Sequence, residues 1–451
     1  MYLQKNDFMK KLISIIVLII SSGSPFCFCQ AVDSTNLKTE NWIIHAQSTS
    51  IGQLKPSFTA KYSGDNSIQT ESERQGSQTF TLYLGTHLWK NAAFIFNGEV
   101  AGGSGLSKTL GLAAASNGET YRIGDPSLTF SPVRLFVQQI FSLSENRNYD
   151  NGNLNALKGY KPEKYLQLTV GKVSLLDFFD ANPYSHDPRT QFSAWALFGN
   201  GAWDYPADTR GYTSSIILEY INPNTELRGA ISLLPLSANM AEMNWRFWEA
   251  QGLTLELTKH LTINNKPWNL RALVYNNTAN MGNYNQATRA GTTFFPPNII
   301  STRAIGRTKF GFGISSDWQV QDNVGLFVRT GWSDGNNETW AFTEIDRSLS
   351  FGTVIKVTAW KRPNDESGLA FAISGLSEPH KNYLHAGGYG FIIGDGDLNY
   401  ANEIVGELYY GMSFFKNIVK LTGFYQLYMN PAYNADRGPV NIFSLRLHIE
   451  K

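Results

Sequence analysis

Apolar and polar side chains alternate from about residue 42 almost to the end of the chain, and no other feature constrains the fold as much. In the last segment Phe443, Leu445, Leu447 and Ile449 alternate with Ser444, Arg446 and His448. Successive side chains of a β-strand point to opposite faces, so one face here is apolar and the other polar or charged. A soluble sandwich alternates too, so one strand decides nothing. Here roughly sixteen such segments, many with an apolar face ending in aromatics, follow a stretch that reads as a secretion signal. The combination predicts an all-β fold: a transmembrane antiparallel β-barrel with a wet lumen, the architecture of a transport protein.

The start of the chain sets the compartment. Lys5, Lys10 and Lys11 make a basic region, Leu12 to Ile20 an apolar core, and Ser21 to Cys29 a small, turn-prone end. Cys27-Phe28-Cys29 puts small residues at −3 and −1, which favours cleavage before Gln30, and Met9 is an alternative initiator. The apolar core falls short of the ~20 residues of a membrane-spanning helix. The expected organisation is a signal peptide, 1–29, and a single outer-membrane barrel domain, 30–451. Both cysteines leave with the signal, so neither a disulfide nor a thiol nucleophile is expected. Residues 1–29 carry three Lys and one Asp, so the formal net charge of +1 becomes −1. With no basic excess, nucleic acid is not an expected partner.

Strand parity decides the topology. Seventeen candidate strands can be marked, but single-chain bacterial barrels use an even number. Short connections belong on the periplasmic side: Lys90-Asn91, Asn222 to Asn224, Gln319 to Asn323, Pro363 to Ser367 and Lys416-Asn417. Counting 192–198 as a strand would move Lys90-Asn91 to the outside, so that segment is assigned to the third outer loop. Sixteen strands remain, with an awkwardly long periplasmic connection at 143–163. A further strand hidden there or in the third loop would make eighteen. The second and third outer loops, 102–131 and 174–211, are expected to fold into the lumen.

Several segments resemble one family. Tyr62 to Ser67, then Tyr83-Leu84-Gly85 and Leu88-Trp89, are similar to the carbohydrate-selective porins of the OprB type. So are Gly105-Leu106-Ser107, Gly111-Leu112-Ala113 and Asn117-Gly118-Glu119. The densest match runs Thr169 to Lys172, Asp177 to Asn182, Asp187 to Phe192 and Asp208 to Tyr212, and it closes with Asn430 to Pro439. The resemblance implies a sixteen-stranded barrel in the outer membrane of a Gram-negative bacterium that admits sugars by facilitated diffusion. Such chains usually end in an aromatic residue, whereas this one ends Glu450-Lys451. The partners it implies are a mono- or oligosaccharide solute, outer-membrane lipid and lipopolysaccharide, and the barrel-assembly machinery.

Strand phase selects the candidate pore residues. Phe94, Phe96 and Val100 face lipid, which turns Asn97 and Glu99 inward; Val133, Leu135 and Val137 do the same for Arg134 and Gln138. Glu99 and Arg134, beneath the long loops, and Arg122, near the end of the second loop, are the expected sugar constriction, with Asn97 and Gln138 beside them. Two roles fit these charges: lining the constriction, or pairing with loops to pin them to the wall. Asp177, Asp180, Asp187 and Arg189 of the third loop are either turn caps or pore-lining groups. Lys172 reads as an interfacial lysine at the outer rim. Trp195 and Trp203 offer stacking surfaces or core.

No catalytic residue, metal site or cofactor is expected. Gly103 to Thr109 resembles a phosphate loop, but Ser107 stands where glycine must precede the lysine. Asp395 to Asn399 begins like a calcium loop, yet Tyr400 replaces its glycine. The histidines show no paired zinc spacing. The alternatives to a sugar pore are a general porin or one for anions or amino acids and, more remotely, a barrel hydrolase. A phosphate pore should present a basic ladder, whereas inward charges here are mixed in sign. A hydrolase needs a nucleophile–base pair, and none is evident.

Overall fold

The computed structural model describes residues 39–120, 127–292, 294–358 and 361–451. Sixteen strands close an antiparallel barrel: β1 (Trp42–Lys55), β2 (Glu73–Trp89), β3 (Ala92–Gly103), β4 (Thr129–Ser142), β7 (Tyr165–Val173), β8 (Thr213–Asn222), β9 (Thr225–Leu233), β10 (Gln251–Ile263), β11 (Lys266–Met281), β12 (Ala304–Gln321), β13 (Val324–Ser333), β14 (Arg347–Lys356), β15 (Glu366–Gly375), β16 (Glu403–Phe414), β17 (Val419–Met429) and β18 (Val440–Glu450). Two short strands, β5 (Arg147–Asp150) and β6 (Gly159–Pro162), form a separate hairpin. β18 pairs with β1 and seals the wall, from Leu54 opposite Phe443 to Gln47 opposite Glu450. No helix among the described residues is long and apolar enough to cross a membrane; the strands cross it.

Burial runs opposite to that of a soluble sandwich. In β10, Leu253, Leu255 and Leu257 are 42%, 55% and 41% exposed, while the alternating Thr254, Glu256 and Thr258 are at most 2% exposed. Leucines on the outside and a carboxylate inside suit a wall with lipid outside and a polar interior. Connections at the other end are tight because asparagine tolerates a positive φ. Asn264 and Asn265 (φ +50° and +59°) form the two-residue turn between β10 and β11.

Residues 192–198 lie in the third outer loop, where α1 (Trp195–Phe198) makes one helical turn. The first outer loop, which the apolar period alone sets at 52–77, is shorter. β1 runs on to Lys55 and β2 begins at Glu73, with Gln53 opposite Gln75 and Lys55 opposite Glu73. These polar pairs stand above the lipid band, so no apolar period marks them as strand.

The long connection at 143–163 holds β5 and β6, and its tip turns into the barrel. Leu157 is buried with Ile43, Ile95 and Phe136, side chains of the lumen wall. Lys158 exchanges hydrogen bonds with Glu40, N–H to carboxylate at 3.2 Å and carbonyl to Glu40 N–H at 2.9 Å. This hairpin narrows the channel from the periplasmic side.

Candidate functional site

The third outer loop enters the barrel because the wall from β12 to β18 offers it buried charges as handles. Arg446 of β18 donates to the carbonyls of Pro188 and Gln191 at 2.7 and 2.8 Å. Glu407 of β16 accepts the backbone N–H groups of Ser193 and Ala194 at 2.7 and 2.9 Å. Arg329 of β13 pairs with Asp180 at 2.9 Å and donates to the Leu197 carbonyl at 2.9 Å. A loop inside a barrel must satisfy its backbone polar groups, and these side chains do so. The loop then buries Phe192, Ala194 and Leu197 against Phe327, Tyr409 and Phe424 of the wall. That half of the lumen is closed by apolar packing.

The second outer loop is held in the same way. Glu403 accepts the N–H groups of Ala113 and Ala114 at 2.9 and 2.8 Å, and Gln426 donates to the Ser116 carbonyl at 2.9 Å. Glu119 is thereby brought opposite β3.

Between these loops and β1–β3, Arg189 reaches across the lumen. It donates to Glu99 at 2.8 Å, to Glu119 at 2.9 Å and to Gln47 at 2.8 Å, with longer bonds to Thr81 and Tyr83 at 3.1 and 3.4 Å. Burial alone would lower the pKa of Arg189, but the carboxylates of Glu119 and Glu99 outweigh it and hold the guanidinium charged. Burial pushes the Glu119 carboxyl above the usual range, against the opposing pull of Arg189. Beside these groups lies a gap of about 60 Å³ bounded by Trp195, Thr209, Arg210, Tyr212 and Phe342. A smaller cavity of about 30 Å³ on the outer-loop side shares Thr120, Trp195, Thr209 and Phe342 with it. Trp195 stacks on Phe342 with ring centroids 3.7 Å apart, and Phe342 on Tyr205 at 5.0 Å. Among the described residues the buried Trp195 indole N–H has no acceptor. One channel segment therefore offers a charged, forked hydrogen-bonding wall facing an aromatic one.

The residues anticipated from sequence separate into groups. Glu99 faces the gap, but its partner is Arg189 and not Arg134. Arg134 instead grips Asp177 in a forked pair, both bonds 2.7 Å, with its guanidinium 5.3 Å from the Tyr212 ring centre. Asp180 lies beneath the loop on Arg329. Asp187 caps the loop turn: it accepts the Arg189 N–H at 2.9 Å and the Thr190 hydroxyl at 2.7 Å, and these bonds depress its pKa despite burial. Asn97 donates to Asn155 at the hairpin tip, 2.7 Å, and Gln138 lines a cavity of about 70 Å³ there. Arg122 lies outside the described residues. Lys172, at the outer rim, is tied to Asp208 of the third loop at 3.5 Å. Glu119 and Phe342 were missed, as was Gln47 as a partner of Arg189; strand phase does turn Gln47 inward and Asn117-Gly118-Glu119 is a family-like segment, but neither signal names Arg189 as the partner.

The sequence matches the family described as carbohydrate-selective porin, OprB family, over residues 68–450. No curated protein matches the chain. Among solved structures, it is similar to the high-pH structure of Pseudomonas putida OprB, with a TM-score of 0.68 at 14% identity, covering 91% of this chain and 94% of that one. The low-pH structure of the same protein gives 0.50 at 11% identity, covering 91% and 93%. At such identities the likeness speaks for the fold.

Proposed function

The chain belongs to the carbohydrate-selective porin, OprB family, and on that premise we propose that it passes neutral sugars through the gap beside Arg189. Family and barrel together imply the outer membrane of a Gram-negative bacterium. The observation that carries the sugar reading is the pairing of Arg189, Glu99 and Glu119 with the Trp195–Phe342 stack across one narrow gap. Hydroxyls exchange hydrogen bonds with the charged wall, while the apolar C–H face of a sugar ring packs on the indole. The gap has room for about two water molecules, so a sugar displaces ordered water and shifts the Trp195 and Arg189 side chains as it passes. Around the gap Glu99 and Glu119 face Arg189 and Arg210, and such mixed charges suit a neutral solute better than the basic ladder of an anion pore.

In this reading Glu99 and Arg189 contact solute and Asn97 and Gln138 line the route below them. Arg134, Asp177, Asp180 and Asp187 hold the third loop in place. Residues 1–29 serve as the secretion signal and 30–451 as the single barrel domain, inserted by the barrel-assembly machinery. Liposome swelling with sugars, amino acids and salts of matched size tests the proposal. Faster swelling with sugars supports it, whereas equal rates across the panel, or faster swelling with anions, refute the selectivity.

A further inference from the structure

A groove of about 660 Å³ opens on the outside of the barrel, at the extracellular ends of β12–β16 and under α3 (Glu378–His385), α2 being Tyr284–Ala290. It faces away from the lumen. Phe312, Trp332, Leu349 and Ile373 occupy lipid-side positions of their strands and line its wall. Below it the apolar surface continues through Phe351 and Phe371, whose ring centres lie 5.7 Å apart and which are about 40% exposed. The groove thus sits where the hydrocarbon band ends and outer-leaflet headgroups begin.

Two cations stand at this level, each over an aromatic ring. The Arg347 guanidinium lies 4.9 Å from the Trp332 ring centre, the two residues being directly paired across β13 and β14. The Lys381 ammonium lies 4.3 Å from the Tyr400 ring centre. Arg347 donates to the backbone carbonyls of Ser333 and Asp346, and no carboxylate pairs with it among the described residues. Among the described residues Lys381 pairs with one carboxylate, that of the exposed Glu378 at 3.5 Å. Ring contacts fix the direction of these charges without neutralising them. Gly375 keeps the floor open: a Cβ there would meet the Asn402 side chain at 3.1 Å and the Tyr400 hydroxyl at 3.2 Å. An interior ion pair needs no such opening.

We infer that this groove binds a phosphorylated, acylated glycolipid of the outer leaflet, of the lipid A kind. A phosphate oxygen would take the forked Arg347 donors and the Lys381 ammonium, while an acyl chain would run down over Leu349 and Ile373. A basic site directly above an apolar wall complements a ligand whose negative charge and hydrocarbon are adjacent. The site is independent of the sugar path, because none of these side chains faces the lumen.

Native mass spectrometry of the detergent-solubilised full barrel, with each lipid added in turn, tests the inference. Lipid A with its phosphates should be retained more strongly than dephosphorylated lipid A, phosphatidylglycerol or inorganic phosphate. The double variant Arg347→Ala, Lys381→Ala should lose about tenfold in lipid A affinity, as expected when charge-assisted contacts to one phosphate are removed. Its heat-modifiable migration and single-channel conductance should stay unchanged. Equal retention of phosphorylated and dephosphorylated lipid A by the unaltered protein would overturn the proposal, whatever the variant does. So would equal retention of phosphatidylglycerol, or unchanged lipid A binding by a folded double variant.

Discussion

Arg189 and Arg134 are both buried guanidiniums with carboxylate partners, yet they answer to different tests. Arg134 holds Asp177 at the base of the third loop and does not face the gap. Arg134→Ala leaves Asp177 without its forked donor and should destabilise the loop by about 1–3 kcal/mol. Noisier current and a lower unfolding temperature, with sugar affinity changed only through that loosening, is the expected result. Glu119 makes the constriction sensitive to acid. Its carboxyl titrates above the ordinary glutamate range because it is buried, with Arg189 opposing part of the effect. A group with a raised folded-state pKa stabilises the fold most when protonated, and that contribution is lost as pH rises through the raised value. In the pore the same proton removes one of two negative charges beside Arg189. Anion preference should therefore rise as pH falls toward about 4.3, the unperturbed glutamate value. Glu119→Gln should show the acid-form selectivity at neutral pH and lose most of this dependence; an unaltered pH profile in that variant would contradict the assignment.

At the scale of elements, what could be read in the sequence followed the apolar period. Wall strands announce themselves because leucines such as Leu253 and Leu255 must face lipid, and parity then removed 192–198 from the wall. The inward phase was legible too, but not what each inward charge does. Glu407 and Arg446 alternate into the lumen as regularly as Glu99, yet they grip loop backbone from across the barrel. No periodicity reports contacts such as Arg189 with Glu99, made by an irregular loop far away in sequence. The β5–β6 hairpin was missed because four-residue strands are too short to show a period. Its tip yields a prediction: replacing residues 151–158 by a short glycine-serine turn should raise single-channel conductance, since Leu157 and Asn155 would no longer project beneath Asn97. Unchanged conductance would place the tip outside the ion path. In β18, Leu445 is 56% exposed on the lipid side. Leu445→Lys should cost about 2–4 kcal/mol near the bilayer midplane and less near an interface. Folding in lipid vesicles, measured by urea titration, checks this.

The whole molecule is a barrel with two kinds of interior. On the β12–β18 side, wall charges hold the second and third loops and an apolar core fills the lumen. On the β1–β4 side lies the polar gap bounded by Arg189, Glu99 and Glu119 and faced by Trp195, with the hairpin tip against Asn97 below it. Selectivity in this account comes from an arginine that the far wall positions through Arg446 and Lys420, the latter donating to the Thr190 carbonyl at 2.8 Å. The most direct test is single-channel current through the purified barrel while a monosaccharide is titrated, for the unaltered protein, Arg189→Lys and Arg189→Ala. If the Arg189 fork grips the sugar, block is saturable in the unaltered protein. It is weaker, with similar ion selectivity, in Arg189→Lys, which keeps the charge but loses the fork, and it is lost, with higher conductance, in Arg189→Ala. Block of equal affinity in all three proteins would contradict this role for Arg189.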